Sequence, residues 1–295
     1  MKILLDSERT PFNLNHTLSC GQTFRWQKRS DWWFGIVGEK ILMTRQVDDL
    51  LQFRIHPKNV NTDFVTSYFR LDDDLPTIYS KIIKDKHVRE AVENFRGLRL
   101  LRQEPWECLI SYLCATNKNI PAIKDMINNV CRRFGKRLKF NRETFFTFPK
   151  PEDLAKASIK ELKMCKLGFR AERVRQTAKL VNEGAFDLGA LEKMSCEEAK
   201  EELLTLPGVG PKVADCVLLF SLDKLEAFPI DVWMKRIILE NYSTHFERSF
   251  GQKVAMKKSI TPREYGIINS FGRKYFGEFV GYAQEYLYHL KRCKS

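Results

Sequence analysis

Four short apolar runs lie between about Gln22 and Ile55, and their length and composition are typical of β-strands. They read QTFRWQ, WWFGIV, KILMTR and LLQFRI. Turn-forming pairs at Ser30-Asp31 and Gly38-Glu39 separate neighbouring runs, so we predict an antiparallel meander. We expect the aromatic cluster at 32–34 to belong to its core rather than to a surface on which bases stack.

After Pro57 the apolar residues recur every three or four positions, as they do on one face of a helix. This spacing predicts helices at 64–69, 78–83 and 88–95, and a strongly apolar helix that opens at Glu104-Pro105 and ends near Ala115. Strands followed by helices predict an α+β fold. Further short helices are predicted at 120–134, 151–156, 158–165, 170–183, 195–204 and from 211 onward.

The segment 195–233 carries the strongest candidate chemistry. Ser195 followed three residues later by Glu198 is a capping box, which predicts the start of a short amphipathic helix. The turn LPGVG at 206–210 ends that helix, and a second helix is expected to begin at about Pro211.

Gly208 and Gly210 make this turn a candidate anion site. Glycines let backbone amides approach a ligand closely, and the N-terminus of a helix favours negative charge. The segment lacks the lysine-serine pair of a P-loop and the third glycine of a dinucleotide fold. A phosphate of a nucleic-acid backbone is therefore the expected ligand.

Lys212 and Asp231 are the candidate catalytic pair. Lys212 falls in the first turn of the second helix, where the positive helix end and partial burial disfavour its ammonium form. Asp231 precedes an apolar run and is expected to cap another helix, close enough for the two side chains to converge. Two readings stay open from the residues alone, because Lys212 could merely touch phosphate and Asp231 could merely cap.

Charge and cysteine content narrow the classes of partner and cofactor. Fifty Lys and Arg against 37 Asp and Glu give a net charge of +13, which attracts polyanions such as nucleic acids. The eight cysteines show no regular spacing and are expected to be reduced and mostly buried. Neither they nor the five histidines have metal-ligand spacing, so no metal or other cofactor is expected.

The first residues, MKILLDSERTPFNL, resemble neither a signal peptide nor a transit peptide. No stretch approaches the roughly 20 apolar residues of a membrane span. We expect a soluble intracellular protein without membrane contact, placed in the cytoplasm or nucleoid if the source is prokaryotic.

Two sequence segments together resemble one enzyme superfamily. The segment LPGVGPKVADC at 206–216, followed by PIDV at 229–232, resembles the helix-hairpin-helix and Gly/Pro-Asp signature of DNA glycosylases. The KVADC form resembles the 8-oxoguanine DNA glycosylase branch. Further matches extend from CGQTFRW at 20–26 to GYAQ at 281–284, so the resemblance spans nearly the whole chain.

This resemblance implies an N-terminal antiparallel sheet domain and two mostly helical lobes. The sheet domain would cover 1–96, and one lobe would combine 97–119 with 224–295 and carry Asp231. The other lobe would cover 120–223 and end in the helix-hairpin-helix. The active-site cleft would then lie between the lobes.

The resemblance also implies a bifunctional base-excision-repair enzyme that removes 8-oxoguanine from duplex DNA and then cleaves the strand. Lys212 would be the nucleophile that forms a Schiff base, and Asp231 would stabilise positive charge. The carbonyl of Gly21 would accept the proton on nitrogen 7 that distinguishes 8-oxoguanine from guanine. Gln284 would read the pairing edge of a flipped base that Cys216 and Tyr288 hold between them.

On the DNA side, Asn117 and Arg170 would contact the cytosine left unpaired, and Phe169 would wedge into the gap that the flipped base leaves in the DNA duplex. The family often has an arginine where this chain has Ala122, which puts selectivity for the opposite base in question. It often has a phosphate-gripping histidine where this chain has Trp233. The four-cysteine iron–sulfur cluster of some relatives cannot form, because only one cysteine follows Cys216.

Duplex DNA containing 8-oxoguanine is thus the expected partner, and a monomer the expected state. Two alternatives remain. A monofunctional alkylated-base glycosylase of the same superfamily ordinarily lacks the hairpin lysine. A non-catalytic helix-hairpin-helix DNA-binding protein would leave Gly21, Asp231 and Gln284 unexplained together.

Overall fold

The computed structural model describes residues 1–57, 62–141, 143–257 and 259–294. Its larger sheet has five antiparallel strands, which are Lys2–Leu4 (β1), Gln27–Arg29 (β2), Trp32–Val37 (β3), Lys40–Val47 (β4) and Leu50–His56 (β5). Their order across the sheet is β1-β5-β4-β3-β2. Strands β3, β4 and β5 confirm three of the predicted runs and both predicted turns.

The predicted strand QTFRWQ at 22–27 is wrong, because only Gln27 belongs to a strand. The side-chain amide of Gln22 instead donates to the carbonyl of Arg99 at 2.8 Å and accepts from the amide of Leu101 at 2.8 Å. These bonds tie the buried Gln22 side chain to the segment 99–101. The backbone around Gln22 therefore bends toward that segment rather than joining the sheet. Strand β1 and the short helix α1, Leu14–Ser19, were not predicted.

Two apolar clusters cover the two faces of this sheet. Trp33 lies in the cluster shared with helix α1 and helix α2, Thr62–Tyr68, as expected for core. Trp32 and Phe34 point to the opposite face, where an unpredicted hairpin covers them. The hairpin strands are Arg137–Phe140 (β6) and Glu143–Phe146 (β7).

The predicted helices are confirmed to within a few residues, and the predicted α+β fold is confirmed with them. Many of these helices begin at a proline or at a residue whose side chain caps the first turn. The remaining bounds are Leu75–Ile82 (α3), Lys86–Asn94 (α4), Pro105–Ala115 (α5), Ile120–Phe134 (α6), Pro151–Lys156 (α7), Ile159–Met164 (α8), Arg170–Asn182 (α9), Cys196–Leu204 (α10), Pro211–Ser221 (α11), Val232–Asn241 (α12), Arg248–Ala255 (α13), Pro262–Phe276 (α14) and Val280–Cys293 (α15).

The helices share one large core in which α11 packs against α5 and α10, and α15 packs against α4 and α12. This packing brings the start of α11, the start of α12 and the middle of α15 to one region of the molecule. Helices α3 and α4 also contact α15, so the segment 75–94 joins the helical core. The three-part division of the chain stays a prediction.

Seven of the eight cysteines are buried, and Cys293 is exposed. Within the ranges that the structure describes, no helix combines the length and the apolar character needed to cross a bilayer.

Candidate active site

The hairpin that carries Lys212 forms as the sequence predicts. Ser195 and Glu198 make the reciprocal bonds of a capping box at 3.2 Å and 2.9 Å. In the turn, Gly208 adopts φ +83°, and a Cβ there would meet the side chain of Arg173 at 2.3 Å. Both the backbone angle and the space therefore require glycine.

Gly210 is the N-cap of α11 and offers no side chain to the first-turn amides. These amides therefore keep their donors available for an acceptor from outside the helix. Arg173 on α9 adds positive charge beside the turn. The arrangement suits a phosphate oxygen, as expected for this turn.

Lys212 is partly exposed and occupies the first turn of α11. Its Nζ lies 4.7 Å from the ring centroid of Tyr112, a buried residue of α5. The ring of Tyr112 is held in turn by stacking on Phe220 with a centroid separation of 5.6 Å. An aromatic face at this distance attracts the ammonium and fixes the direction of the lysine side chain.

Asp231 caps α12, and its carboxylate accepts from the amide of Met234 at 2.8 Å. The predicted capping role is confirmed. The same carboxylate raises the pKa values of Cys216 and Tyr288, although burial is the largest cause for both groups. Lys212 also acts on the thiol of Cys216, so both charged side chains lie within electrostatic range of that residue.

Cys216 lies one turn after Lys212 and is 2% exposed. Burial raises the pKa of its thiol to about 12, against a lowering influence of Lys212. The thiol is therefore neutral near pH 7 and offers a polarisable, uncharged surface. Such a surface suits the face of a heteroaromatic base better than a thiolate would.

Gln284 and Tyr288 lie one turn apart on α15, as expected. Gln284 is 5% exposed, and its Oε1 is buried without a hydrogen-bond partner among the described residues. A buried amide oxygen without a protein partner is available to a donor on a bound ligand or on an ordered water. Tyr288 is partly buried beside it.

Gly21 has φ +109°, an angle that only glycine adopts without strain. A Cβ at this position would lie 2.7 Å from Nη1 of Arg292 and 3.1 Å from Ile120. The preceding carbonyl, that of Cys20, accepts a hydrogen bond from Arg292. The Gly21 loop is thus pressed against the last turn of α15.

Comparison with known proteins agrees with this geometry. A family model of the 8-oxoguanine DNA glycosylase N-terminal domain matches residues 4–109, and one of the HhH-GPD superfamily base excision DNA repair proteins matches residues 110–252. The N-glycosylase/DNA lyase OGG1 of Arabidopsis thaliana is 35% identical over 297 residues, covering 95% of this chain and 77% of that protein. The probable N-glycosylase/DNA lyase of Methanothermobacter thermautotrophicus is 33% identical, covering 80% and 76%.

The chain belongs to the 8-oxoguanine DNA glycosylase family. The fold is shared over nearly the full length. A Clostridium acetobutylicum 8-oxoguanine glycosylase/lyase, solved with duplex DNA that contains cytosine opposite 8-oxoguanine, has a TM-score of 0.85 at 30% identity. The match covers 96% of this chain and 92% of that one. The resemblance read from the sequence is confirmed.

On the side expected to face DNA, Phe169 is 56% exposed, an unusual exposure for a large apolar side chain. The guanidinium groups of Arg170 and Arg173 lie 4.3 Å and 5.2 Å from its ring centroid. Arg170 itself is 3% exposed and donates to the carbonyls of Leu167 and Thr116. Its guanidinium thus faces the loop that begins with Thr116 rather than open solvent.

Asn117 is exposed and has φ +55°. It directly follows Thr116, whose carbonyl accepts a hydrogen bond from Arg170. The Ala122 site lies in the first turn of α6, where its amide donates to the side chain of Asn119 at 3.0 Å. Where relatives often have histidine, Trp233 is partly buried and packs 5.5 Å from the guanidinium of Arg236.

Three further residues near the site had no role predicted from the sequence. Asp215 and Glu285 are 1% and 2% exposed, and Arg292 contacts the Gly21 loop. The signal for Asp215 and Glu285 was available, since each is an acid inside an otherwise apolar helical segment. Arg292 has no such signal because charged residues are ordinary in the last turn of a helix.

Proposed function

We propose that this protein removes 8-oxoguanine from duplex DNA and then cleaves the damaged strand through a Schiff base on Lys212. One observation carries the proposal: Lys212 and Asp231, at the starts of two helices, both act electrostatically on the buried thiol of Cys216, and Asp231 acts on Tyr288 as well. A nucleophilic amine and a carboxylate around one pocket suit attack on a sugar carbon.

The chemistry needs a neutral amine at Nζ of Lys212. The amine attacks C1′ of the flipped nucleotide, the C1′–N9 bond breaks, and its electron pair leaves with the base, which takes up a proton. The C1′–O4′ bond then breaks as the lone pair of Nζ forms a C=N bond, and O4′ takes up a proton, which leaves an iminium ion on Nζ. Asp231 stabilises the positive charge that develops at C1′ and then on the iminium.

Strand cleavage follows from the same intermediate. Loss of a proton from C2′ of the iminium drives cleavage of the bond between C3′ and the 3′ phosphate oxygen, so the phosphate leaves with that electron pair. Water then hydrolyses the conjugated imine and returns Lys212 to its free form. These steps use the side chains of the protein, the substrate and water.

The base pocket supports recognition of the oxidised base. We assign the Gly21 carbonyl to the proton on nitrogen 7, the unpaired oxygen of Gln284 to a donor on the pairing edge, and Cys216 and Tyr288 to the two faces of the ring. Each of the two polar assignments pairs a hydrogen-bond donor of 8-oxoguanine with an acceptor of the protein. A site built to bind such a donor rejects a base that lacks it.

For the surrounding duplex, we assign Phe169 to the gap left by the flipped base and Asn117 with Arg170 to the opposite cytosine. The amides at Gly208 and Gly210 would hold a backbone phosphate. The monomeric state and the intracellular location expected from the sequence stay predictions.

The two alternatives have less support. A DNA-3-methyladenine glycosylase and a protein named putative DNA-3-methyladenine glycosylase, both of Bacillus subtilis, are only 23% identical to this chain, over 66% and 53% of its length. A non-catalytic DNA-binding protein has no use for a pocket with an unpaired buried amide.

Borohydride trapping on a duplex with one 8-oxoguanine tests the proposal. Wild-type protein should become covalently joined to the DNA and should cut the strand, whereas Lys212→Gln should do neither. Binding of the lesion duplex by Lys212→Gln should stay within about tenfold of the wild type, because one contact among many is worth only about 1 kcal/mol.

Lys274→Gln, which removes an exposed lysine of α14, is the matched control and should trap like the wild type. Strand cleavage by Lys212→Gln at the wild-type rate would contradict the Schiff-base assignment.

A further inference from the structure

Arg292 joins the end of the last helix to the loop that carries Gly21. Its Nη1 donates to the carbonyl of Cys20, and its guanidinium carbon lies 5.5 Å from the ring centroid of Tyr288. A methyl group added to Gly21 would collide with Nη1 at 2.7 Å. The guanidinium therefore sits between the loop backbone and an aromatic wall of the pocket.

The Gly21 loop is fixed on its other side by Gln22. The Gln22 side chain bonds the backbone at Arg99 and Leu101, both at 2.8 Å, inside the protein. The interior side is fixed further because the Gln22 carbonyl accepts from Gln103 at 2.8 Å and from Tyr112 at 3.0 Å. The Cys20 carbonyl on the other side of Gly21 is held from α15 by Arg292. Without Arg292, the glycine between them can adopt many backbone angles.

Glu285 is placed to hold Arg292 where it is. The two residues are seven positions apart on α15 and so share one helix face. Glu285 is 2% exposed, and the charge of Arg292 opposes the rise in its pKa that burial causes. Its Oε1 has no hydrogen-bond partner among the described residues.

A second cation approaches from α6. Lys124 is half-buried, and burial together with the charge of Arg292 lowers its pKa. Repulsion by Lys124 and attraction by Glu285 both restrict where the guanidinium can settle. Charges from two helices, α6 and α15, therefore act on the guanidinium that contacts Cys20.

We propose that Arg292, anchored by Glu285, is a positioning residue that fixes the Gly21 carbonyl and thereby sets the preference for 8-oxoguanine over guanine. The inference rests on the proposed function. The Gly21 carbonyl attracts the N7 proton of 8-oxoguanine and repels the bare N7 lone pair of guanine. Both effects depend on the distance and direction of that oxygen, so a loop that moves weakens the discrimination.

The first experiment separates recognition of the base from the later chemistry. Arg292→Ala should lower single-turnover excision of 8-oxoguanine by about tenfold, the size of losing one hydrogen bond from a charged group. Strand cleavage at a preformed abasic site should stay within about twofold, because no base occupies the pocket there. Arg292→Lys keeps the charge and should recover part of the loss, and Glu285→Gln should show a smaller loss of the same kind.

The second experiment measures discrimination directly. The ratio of affinities for duplexes with 8-oxoguanine and with guanine should fall by about tenfold in Arg292→Ala. Lys294→Ala removes a cation from the same helix end, where Lys294 is exposed and pairs with Glu90, and it should leave the ratio unchanged.

Equal losses at 8-oxoguanine and at abasic sites would overturn the inference, since a general phosphate contact or misfolding lowers both. Unchanged excision and affinity ratio in Arg292→Ala would also overturn it. Failure of the proposed function looks different, because the wild-type protein would then excise no 8-oxoguanine at all.

Discussion

The hydroxyl of Tyr265 donates a 2.6 Å hydrogen bond to the carboxylate of Asp215, whose side chain is 2% exposed. The same hydroxyl accepts from the amide of Ile230 at 3.2 Å. Asp215 lies three residues after Lys212, and Ile230 immediately precedes Asp231. One buried tyrosine thus ties the helix of the candidate nucleophile to the turn of the candidate carboxylate.

Two further groups complete the network around Asp215. Lys200 of α10 lies 2.7 Å from the carboxylate, and Asn269 of α14 donates to it at 3.0 Å. Asn269 also donates to the carbonyl of Phe228 at 2.9 Å. A buried carboxylate with this many donors is well compensated, and removing one donor leaves a costly gap.

We therefore predict that Tyr265→Phe weakens both stability and turnover. It leaves the Ile230 amide unpaired and removes one of the donors to the buried Asp215 carboxylate, so the free energy of unfolding should fall by about 1–3 kcal/mol. Excision should fall by about tenfold as the turn before Asp231 loosens. Tyr275→Phe, which removes a tyrosine hydroxyl donating to Asp85, is the matched control and should leave excision unchanged. Denaturant unfolding and single-turnover excision measure the two effects, and normal excision in Tyr265→Phe would count against the link.

Asp231 has a structural role and a proposed chemical role, and two substitutions separate them. Asp231→Asn keeps a side-chain oxygen for the amide of Met234, so unfolding should change by less than about 1 kcal/mol while excision falls by orders of magnitude. Asp231→Ala should lose excision and, in addition, about 1 kcal/mol of helix capping. If Asp231→Asn excised normally, capping alone would explain the residue.

Glu285 should make stability depend on pH. Burial is the largest cause that raises its pKa from the ordinary 4.5 to about 7, and the nearby charge of Asp231 adds to it. Between these values the folded protein binds more protons at this site than the unfolded chain does, so stability falls as pH rises through the window. The full contribution is about 3 kcal/mol.

Glu285→Gln has no such proton to lose. The difference in unfolding free energy between the variant and the wild type should therefore grow in favour of the variant from about pH 4.5 to about pH 7 and then level off. Urea unfolding of both proteins across this range checks the prediction, and the comparison removes the contributions of all other groups. A difference that is the same at both ends of the window would contradict it.

The parts of the site that the sequence could predict are local ones. The hairpin before Lys212 depends on glycines, a proline and a capping box within 20 residues, and Gln284 and Tyr288 need only the period of a helix. Contacts between distant segments left no local signal. Arg292 and Cys20 are 272 residues apart, and the bent segment at Gln22 takes its partners from residues 99 and 101.

Because Ala122 stands where the family often has an arginine, it bears on selectivity for the base opposite the lesion. An unpaired cytosine presents two acceptors and one donor, and a well-made bidentate contact distinguishes it from another base by about 1–3 kcal/mol. Asn117 is exposed in the loop that precedes α6, but Arg170 is buried and donates to Thr116. Lys124, one substitute for the missing arginine, interacts instead with Arg292.

We predict that the wild-type protein prefers cytosine opposite 8-oxoguanine by about tenfold or less in single-turnover excision, because one of the family's contacts is absent. Ala122→Arg should sharpen the preference, since it restores a guanidinium beside Asn117. Ala185→Arg adds the same charge at an exposed site on a different segment and should leave the preference unchanged. Excision rates with each of the four opposite bases decide the matter. A wild-type preference for cytosine of about a hundredfold would show that another group, with exposed Lys118 the first candidate, already makes the contact.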